Sequence, residues 1–339
     1  MRILAQIAHP DAVKAQYPIS SAAKAVKDVR DAELAAIISS VSNKFLLIMG
    51  PCSVDNHAAL DAYAARLAAL QNRVSSKIFI MMRVYTQKPR TFGTGYKGIL
   101  HSPDAAAAPD MAAGVFALRR AHHIVLEDHG LTTADELLYT GIYPYFDDLV
   151  SYLAIGARSV ENQMHRLISS GVNVPVGMKN PISGSMAVMF NSCVAAQVGH
   201  RFMYRDCEME SDGNPLAHVI LRGFHENNVK HANYHVDDLH DAARRYSETS
   251  LANPCVIIDA SHDNSDNNYL LQPEVAMEII ASRNANPDLR KLIKGMMIES
   301  YIEDGRQEPG GDVFGQSITD ACLGWNKTEE LIYQLYDKL

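Results

Sequence analysis

The sequence predicts an α/β fold: a closed (β/α)8 or TIM barrel with an N-terminal accessory segment and an extra β-hairpin. Three observations carry that prediction. Short runs rich in Val, Ile, Leu and Met recur along the chain, amphipathic stretches with helical spacing separate them, and the runs are apolar almost throughout. Near-continuous apolar strands are those of a parallel sheet covered by helices, and about eight strand–helix units close into a barrel. The competing fold is an open doubly wound sheet. No G-x-G-x-x-G follows the first strand to support it.

Residues 1–42 stand outside the repeat and form an accessory arm ahead of a catalytic barrel spanning 43–339. The arm reads as an initial segment interrupted at His9-Pro10, a helix over 28–40, and Asn43 leading into the first strand. Such an arm covers the barrel's bottom or joins a neighbouring subunit. Strands are expected at 45–50, 78–84, 131–136, 152–157, 174–178, 218–221, 256–259 and 294–298. The third, LTTADE, is poorly apolar, and it is placed because the interval around it is too long for a loop. After the first strand, Asp55-Asn56 caps a helix over 58–70 whose Leu60, Ala64, Leu67 and Leu70 recur at helical spacing. Residues 103–110 read as loop, with Pro109 suited to opening the next helix. A strand at 200–204 begins the extra hairpin.

With 47% hydrophobic and 21% charged residues, neither disorder nor a membrane span is indicated. The N-terminus has no secretory pattern, so the cytoplasm is the expected location. A net charge of −8 argues against nucleic acid or anionic membrane as a partner. Five cysteines without a C-x-x-C pair indicate neither a disulfide framework nor a zinc knuckle. Any functional thiol therefore acts singly.

Unusual polar residues follow the strands, at what would be the catalytic rim of a barrel. Arg83, Lys88, Arg90, Arg158, Lys179 and Arg222 are cationic; Cys52, His262, Glu299 and Asp320 are candidate ligands for one divalent ion. Each has an ordinary explanation when taken alone: a buried small Cys, a hydrogen-bonding His, a capping carboxylate, a solvated Arg or Lys. Their conjunction at successive strand ends is what departs from the ordinary. Clustered cations repel unless anions neutralise them, and the Arg fork suits carboxylate and phosphate, so a polyanionic substrate is expected. Mixed S, N and O donors suit Mn, Fe, Co or Zn, which would polarise a carbonyl oxygen. His122-His123, Glu127-Asp128-His129 and Asp263 read as supporting or structural, and Cys193, Cys207, Cys255 and Cys322 as core or incidental.

Over about 45–325 the sequence resembles the type I 3-deoxy-D-arabino-heptulosonate 7-phosphate (DAHP) synthases, the first enzyme of the shikimate pathway. The resemblance is carried by Gly50-Pro51-Cys52-Ser53, Met82-Arg83-Val84-Tyr85, Lys88-Pro89-Arg90-Thr91, Gly156-Ala157-Arg158, Lys179-Asn180, Arg222-Gly223, Asp259-Ala260-Ser261-His262, Glu299-Ser300 and Ser317-Ile318-Thr319-Asp320. It implies that Cys52, His262, Glu299 and Asp320 hold the metal, and that Arg83, Lys88, Glu136, Arg158, Lys179 and Arg222 hold phosphoenolpyruvate. Lys88, Pro89, Arg90 and Thr91 would receive erythrose 4-phosphate, with Arg90 at its phosphate. Lys88, Arg90, Glu136 and His262 are the implied catalytic set. A homodimer or homotetramer is implied as well, and an aromatic amino acid becomes a candidate inhibitor. The chain departs from the family at Asp135-Glu136-Leu137-Leu138-Tyr139, where Gly-Glu-Phe-Leu-Asp is common, and across 204–212.

Overall fold

A computed structural model describes residues 1–90 and 93–339. Eight parallel strands close into a barrel: β1 Phe45–Gly50, β2 Ile78–Arg83, β3 Thr133–Glu136, β4 Val150–Ile155, β5 Val176–Lys179, β6 His218–Leu221, β7 Val256–Asp259 and β8 Ile293–Glu299. They follow chain order round the wall, and β8 closes on β1 with Gly50 opposite Glu299.

Burial on both faces explains the unbroken apolar runs. In β1 and β2, Leu46, Ile48, Phe79 and Met81 fill the barrel interior, while Leu47, Met49, Ile80 and Met82 pack outward against the helices. The helix α1, Pro10–Gln16, begins where the sequence reading saw only an interruption; Pro10 occupies its first turn behind His9, as proline's fixed φ allows. The next helix, α2, spans Ser21–Ile38 and starts earlier than expected because Ser20 caps it at the Ala23 N–H. It places Leu34, Ile37 and Ile38 in the barrel interior, and Arg30 stacks 4.3 Å over Phe79. These contacts lie at the N-terminal ends of the strands, which keeps the opposite rim open for chemistry.

Other boundaries shift for local reasons. Ser151 interrupts the apolar run that begins β4 at Val150, and Pro175 delays β5 to Val176 because proline has no N–H for a ladder. Helix α3, His57–Val74, is capped by Asn56, and α4, Met111–His123, is capped by Asp110 rather than opened by Pro109. The expected hairpin pairs Arg201–Tyr204 with Cys207–Glu210. A second, unforeseen hairpin pairs Phe224–Glu226 with Val229–His231 through Asn227 and Asn228, both left-handed as a tight hairpin turn requires. Among the described residues no helix is long and apolar enough to cross a membrane.

Candidate active site

The site starts at a close approach of two strands. A Cβ on Gly50 would lie 2.5 Å from the Arg83 carbonyl oxygen, so glycine alone lets β1 and β2 approach there. The chain then turns through Pro51 to Cys52, which is fully buried. Cys52 Sγ lies 3.1 Å from Asp320 Oδ2, and Cys52, Glu299 and Asp320 present donor atoms within 4.8 Å of one another. His262, the fourth expected ligand, lies outside that group of mutually close donors, although its Nε2 is 3.9 Å from Glu299 Oε1. Its backbone is left-handed and its Nδ1 lies 2.9 Å from Asp259 Oδ2 and 2.8 Å from Ser261 Oγ. Those contacts fix the ring and turn Nε2 away from them, toward Glu299.

Lys88 reaches into the same cluster, with Nζ 2.5 Å from Cys52 Sγ and 3.0 Å from Asp320 Oδ2. Burial disfavours its charge, but Cys52, Asp320 and Glu299 hold its pKa well above the ordinary value. Burial and Glu299 push the Cys52 thiol up against the pull of Lys88. Lys88 above all holds the Asp320 carboxyl below the usual carboxylate range. At neutral pH this is an ammonium between a thiol and a carboxylate.

A cavity of about 320 Å³ opens beside the cluster, lined by Lys88, Pro89, Arg90, Glu136, Arg158, Lys179, Arg222, His262 and Asp320. Of the residues expected to hold substrate, these come together on one wall system; Thr91 lies outside the described residues. Arg83 is placed differently. It is fully buried, stacks 3.8 Å over Tyr85, donates to Glu299 at 2.9 Å and does not line the cavity. It braces the donor cluster from below.

The expected mutual repulsion of the cations is met mainly by the protein itself. Lys179 pairs with Asp259 at 2.8 Å, Arg222 with Asp263 at 2.5 Å, Lys88 with Asp320 and Arg83 with Glu299. Burial opposes ionisation of Asp259, yet His262 and Lys179 hold its carboxyl well below the usual range. Glu136 lies directly over Gly156, where a Cβ would be 2.1 Å from Glu136 Oε1. Its backbone N–H donates to Asp135 Oδ1, which also accepts from Thr86 N–H.

Sequence reasoning missed two contributors, Asp259 and His225. Asp259 and Asp263 orient site cations, and His225, on the second hairpin, lines the cavity 3.3 Å from Asp263 Oδ1. Asp263, read from the sequence as supporting or structural, has that role against Arg222, a partner distant in sequence. Nothing in the apolar periodicity marks the short hairpin that carries His225.

Barrel and rim together define an enzyme that binds a polyanion beside a cluster of metal-capable donors. The chain matches the DAHP synthetase I family over residues 17–332, and it belongs to that family. It is 36% identical over 342 residues to the Tyr-sensitive phospho-2-dehydro-3-deoxyheptonate aldolase of Escherichia coli (strain K12), covering 97% of this chain and 92% of that one. It is 35% identical over 331 residues to the Trp-sensitive enzyme of Enterobacter agglomerans, covering 95% and 92%. The solved phospho-2-dehydro-3-deoxyheptonate aldolase of Francisella tularensis SCHU S4 superposes with a TM-score of 0.92 at 28% identity, covering 100% of this chain and 98% of that chain.

Proposed function

We propose that this chain is a metal-dependent DAHP synthase, condensing phosphoenolpyruvate with erythrose 4-phosphate to DAHP and phosphate. The observation that carries the reading is one cavity wall where Lys88, Arg158, Lys179 and Arg222 converge beside Asp320 of the donor cluster. The thiol, carboxylate and imidazole donors suit Mn, Fe, Co or Zn. Cys52, Glu299 and Asp320 would hold the ion with His262, and it would supply Lewis acidity toward the aldehyde oxygen.

The remaining chemistry is positioning and charge. Lys179, Arg222 and Arg158 hold the phosphate and carboxylate of phosphoenolpyruvate, the first two braced in advance by Asp259 and Asp263. C3 then forms a bond to the aldehyde carbon. Lys88 is placed to give a proton to the aldehyde oxygen, which takes the C=O π pair and stays on that carbon as a hydroxyl. Water adds at C2 and Glu136 takes one of its protons; the new hydroxyl then collapses to the ketone as the C2–O bond to the phosphate breaks, and its remaining proton leaves with the phosphate. Residues 43–339 are the catalytic unit and 1–42 an accessory arm. The setting is the cytoplasm, the assembly a homodimer or homotetramer. Relatives named Tyr-sensitive and Trp-sensitive support an aromatic amino acid as inhibitor.

The test is phosphate release and heptulosonate formation by the purified protein with Mn(II), offered erythrose 4-phosphate and arabinose 5-phosphate separately. Product from the four-carbon substrate supports the reading. Tight phosphoenolpyruvate binding without turnover of either aldose contradicts it.

A further inference from the structure

The cavity at the rim has a neighbour. A second cavity of about 390 Å³ shares Pro89, Arg90, Arg158 and Asp320 with the first and continues to Arg306 and Thr319, beyond β8. The two adjoin, and Asp320 of the donor cluster lines both.

Resting on the function proposed above, the aldehyde lies near Asp320 and phosphoenolpyruvate occupies the first cavity. Erythrose 4-phosphate carries its phosphate at the far end of a four-carbon chain from the aldehyde. That end runs into the second cavity. A phosphate dianion there is best held by guanidinium forks, and Arg90 already lines the space with its Nε donating to Tyr96 O at 3.0 Å. We infer that Arg306 is the second fork, a binding residue for the phosphate of the aldose substrate.

The backbone supports this role. Arg306 bridges Ser317, the Gln307 N–H donates to Ser317 O at 2.8 Å, and the Gly305 N–H donates to Cys322 O at 2.9 Å. The root of the loop is thereby stitched to the segment that carries Asp320. The Arg306 side chain itself is 60% exposed, and its nearest carboxylate, Glu308, is 3.6 Å away, beyond a direct hydrogen bond. Glu308 lines the same cavity, and its charge opposes a bound phosphate.

Steady-state kinetics of wild type, Arg306→Ala, Arg306→Lys and Glu308→Gln test the inference. Arg306→Ala should raise KM for erythrose 4-phosphate roughly tenfold, the scale of one charge-assisted contact, while KM for phosphoenolpyruvate moves less than about twofold. Arg306→Lys should recover part of the loss, and Glu308→Gln should lower KM for erythrose 4-phosphate, a gain that damage to the fold does not produce. Equal rises in both KM values, or an unchanged KM for the aldose in Arg306→Ala, would overturn the inference. A wild-type protein inactive with erythrose 4-phosphate would instead sink the functional reading beneath it.

Discussion

The Lys88 ammonium lies 2.5 Å from the Cys52 sulfur, so a cation lining the cavity is held by a donor that also belongs to the candidate metal cluster. In the proposed mechanism, substrate electrostatics and ion binding meet at this one contact. Lys88→Met should lower kcat/KM by roughly 10²- to 10³-fold, the cost of deleting a donor aimed at developing charge. The check is steady-state kinetics at saturating metal, with metal content measured on the same samples.

Cys52→Ala should remove bound metal and activity together with modest harm to folding, because the thiolate is the softest ligand of the set. Elemental analysis of the purified variant and its melting temperature decide the matter. Full metal stoichiometry in the variant counts against Cys52 as a ligand.

Arg83 and Glu299 are a buried pair, each almost wholly removed from solvent. Arg83→Met leaves the Glu299 carboxylate without that partner, and breaking such a pair costs about 3–5 kcal/mol. Urea unfolding should register the loss as a lower midpoint with unchanged slope.

Gly156 gives Glu136 its place. Gly156→Ala would drive a methyl group into the Glu136 carboxylate and should reduce kcat at least tenfold while the fold persists. Circular dichroism beside the assay separates the two effects. If Gly156→Ala keeps wild-type kcat, turnover does not require the close seating of Glu136 against Gly156.

His218 is fully buried, with Nε2 2.8 Å from the Tyr152 hydroxyl and Nδ1 2.8 Å from Leu216 O. Burial lowers its pKa from 6.5 to about 4, against a smaller opposite effect of Leu216. Between these values the unfolded chain binds the extra proton, so stability is full above about pH 6.5 and declines as pH falls toward 4. At pH 5 this one group should cost about 2 kcal/mol relative to pH 7. Urea unfolding of wild type and His218→Gln at both pH values should show a shallower acid loss in the variant.

Much of the fold was readable because barrel strands are buried on both faces: β1 and β2 stand out as FLLIMG and IFIMMR. By contrast, β3 reads as TADE because Thr133 and Asp135 are spent on a buried polar network with His122 and Thr86. Strand-end position and family motifs together marked most of the cavity-lining residues. What stayed hidden were the partners supplied by tertiary folding, such as Asp263 for Arg222. Arg83 lies deeper than its place at a strand end suggested, because sequence gives the strand end but not its depth below the rim.

The most direct test of the central claim pairs elemental analysis with product formation on one preparation, measured as purified, after chelation, and after Mn(II) is restored. The account predicts about one divalent ion per chain, loss of heptulosonate formation on chelation, and its return with metal. Undiminished turnover by metal-free protein would contradict it.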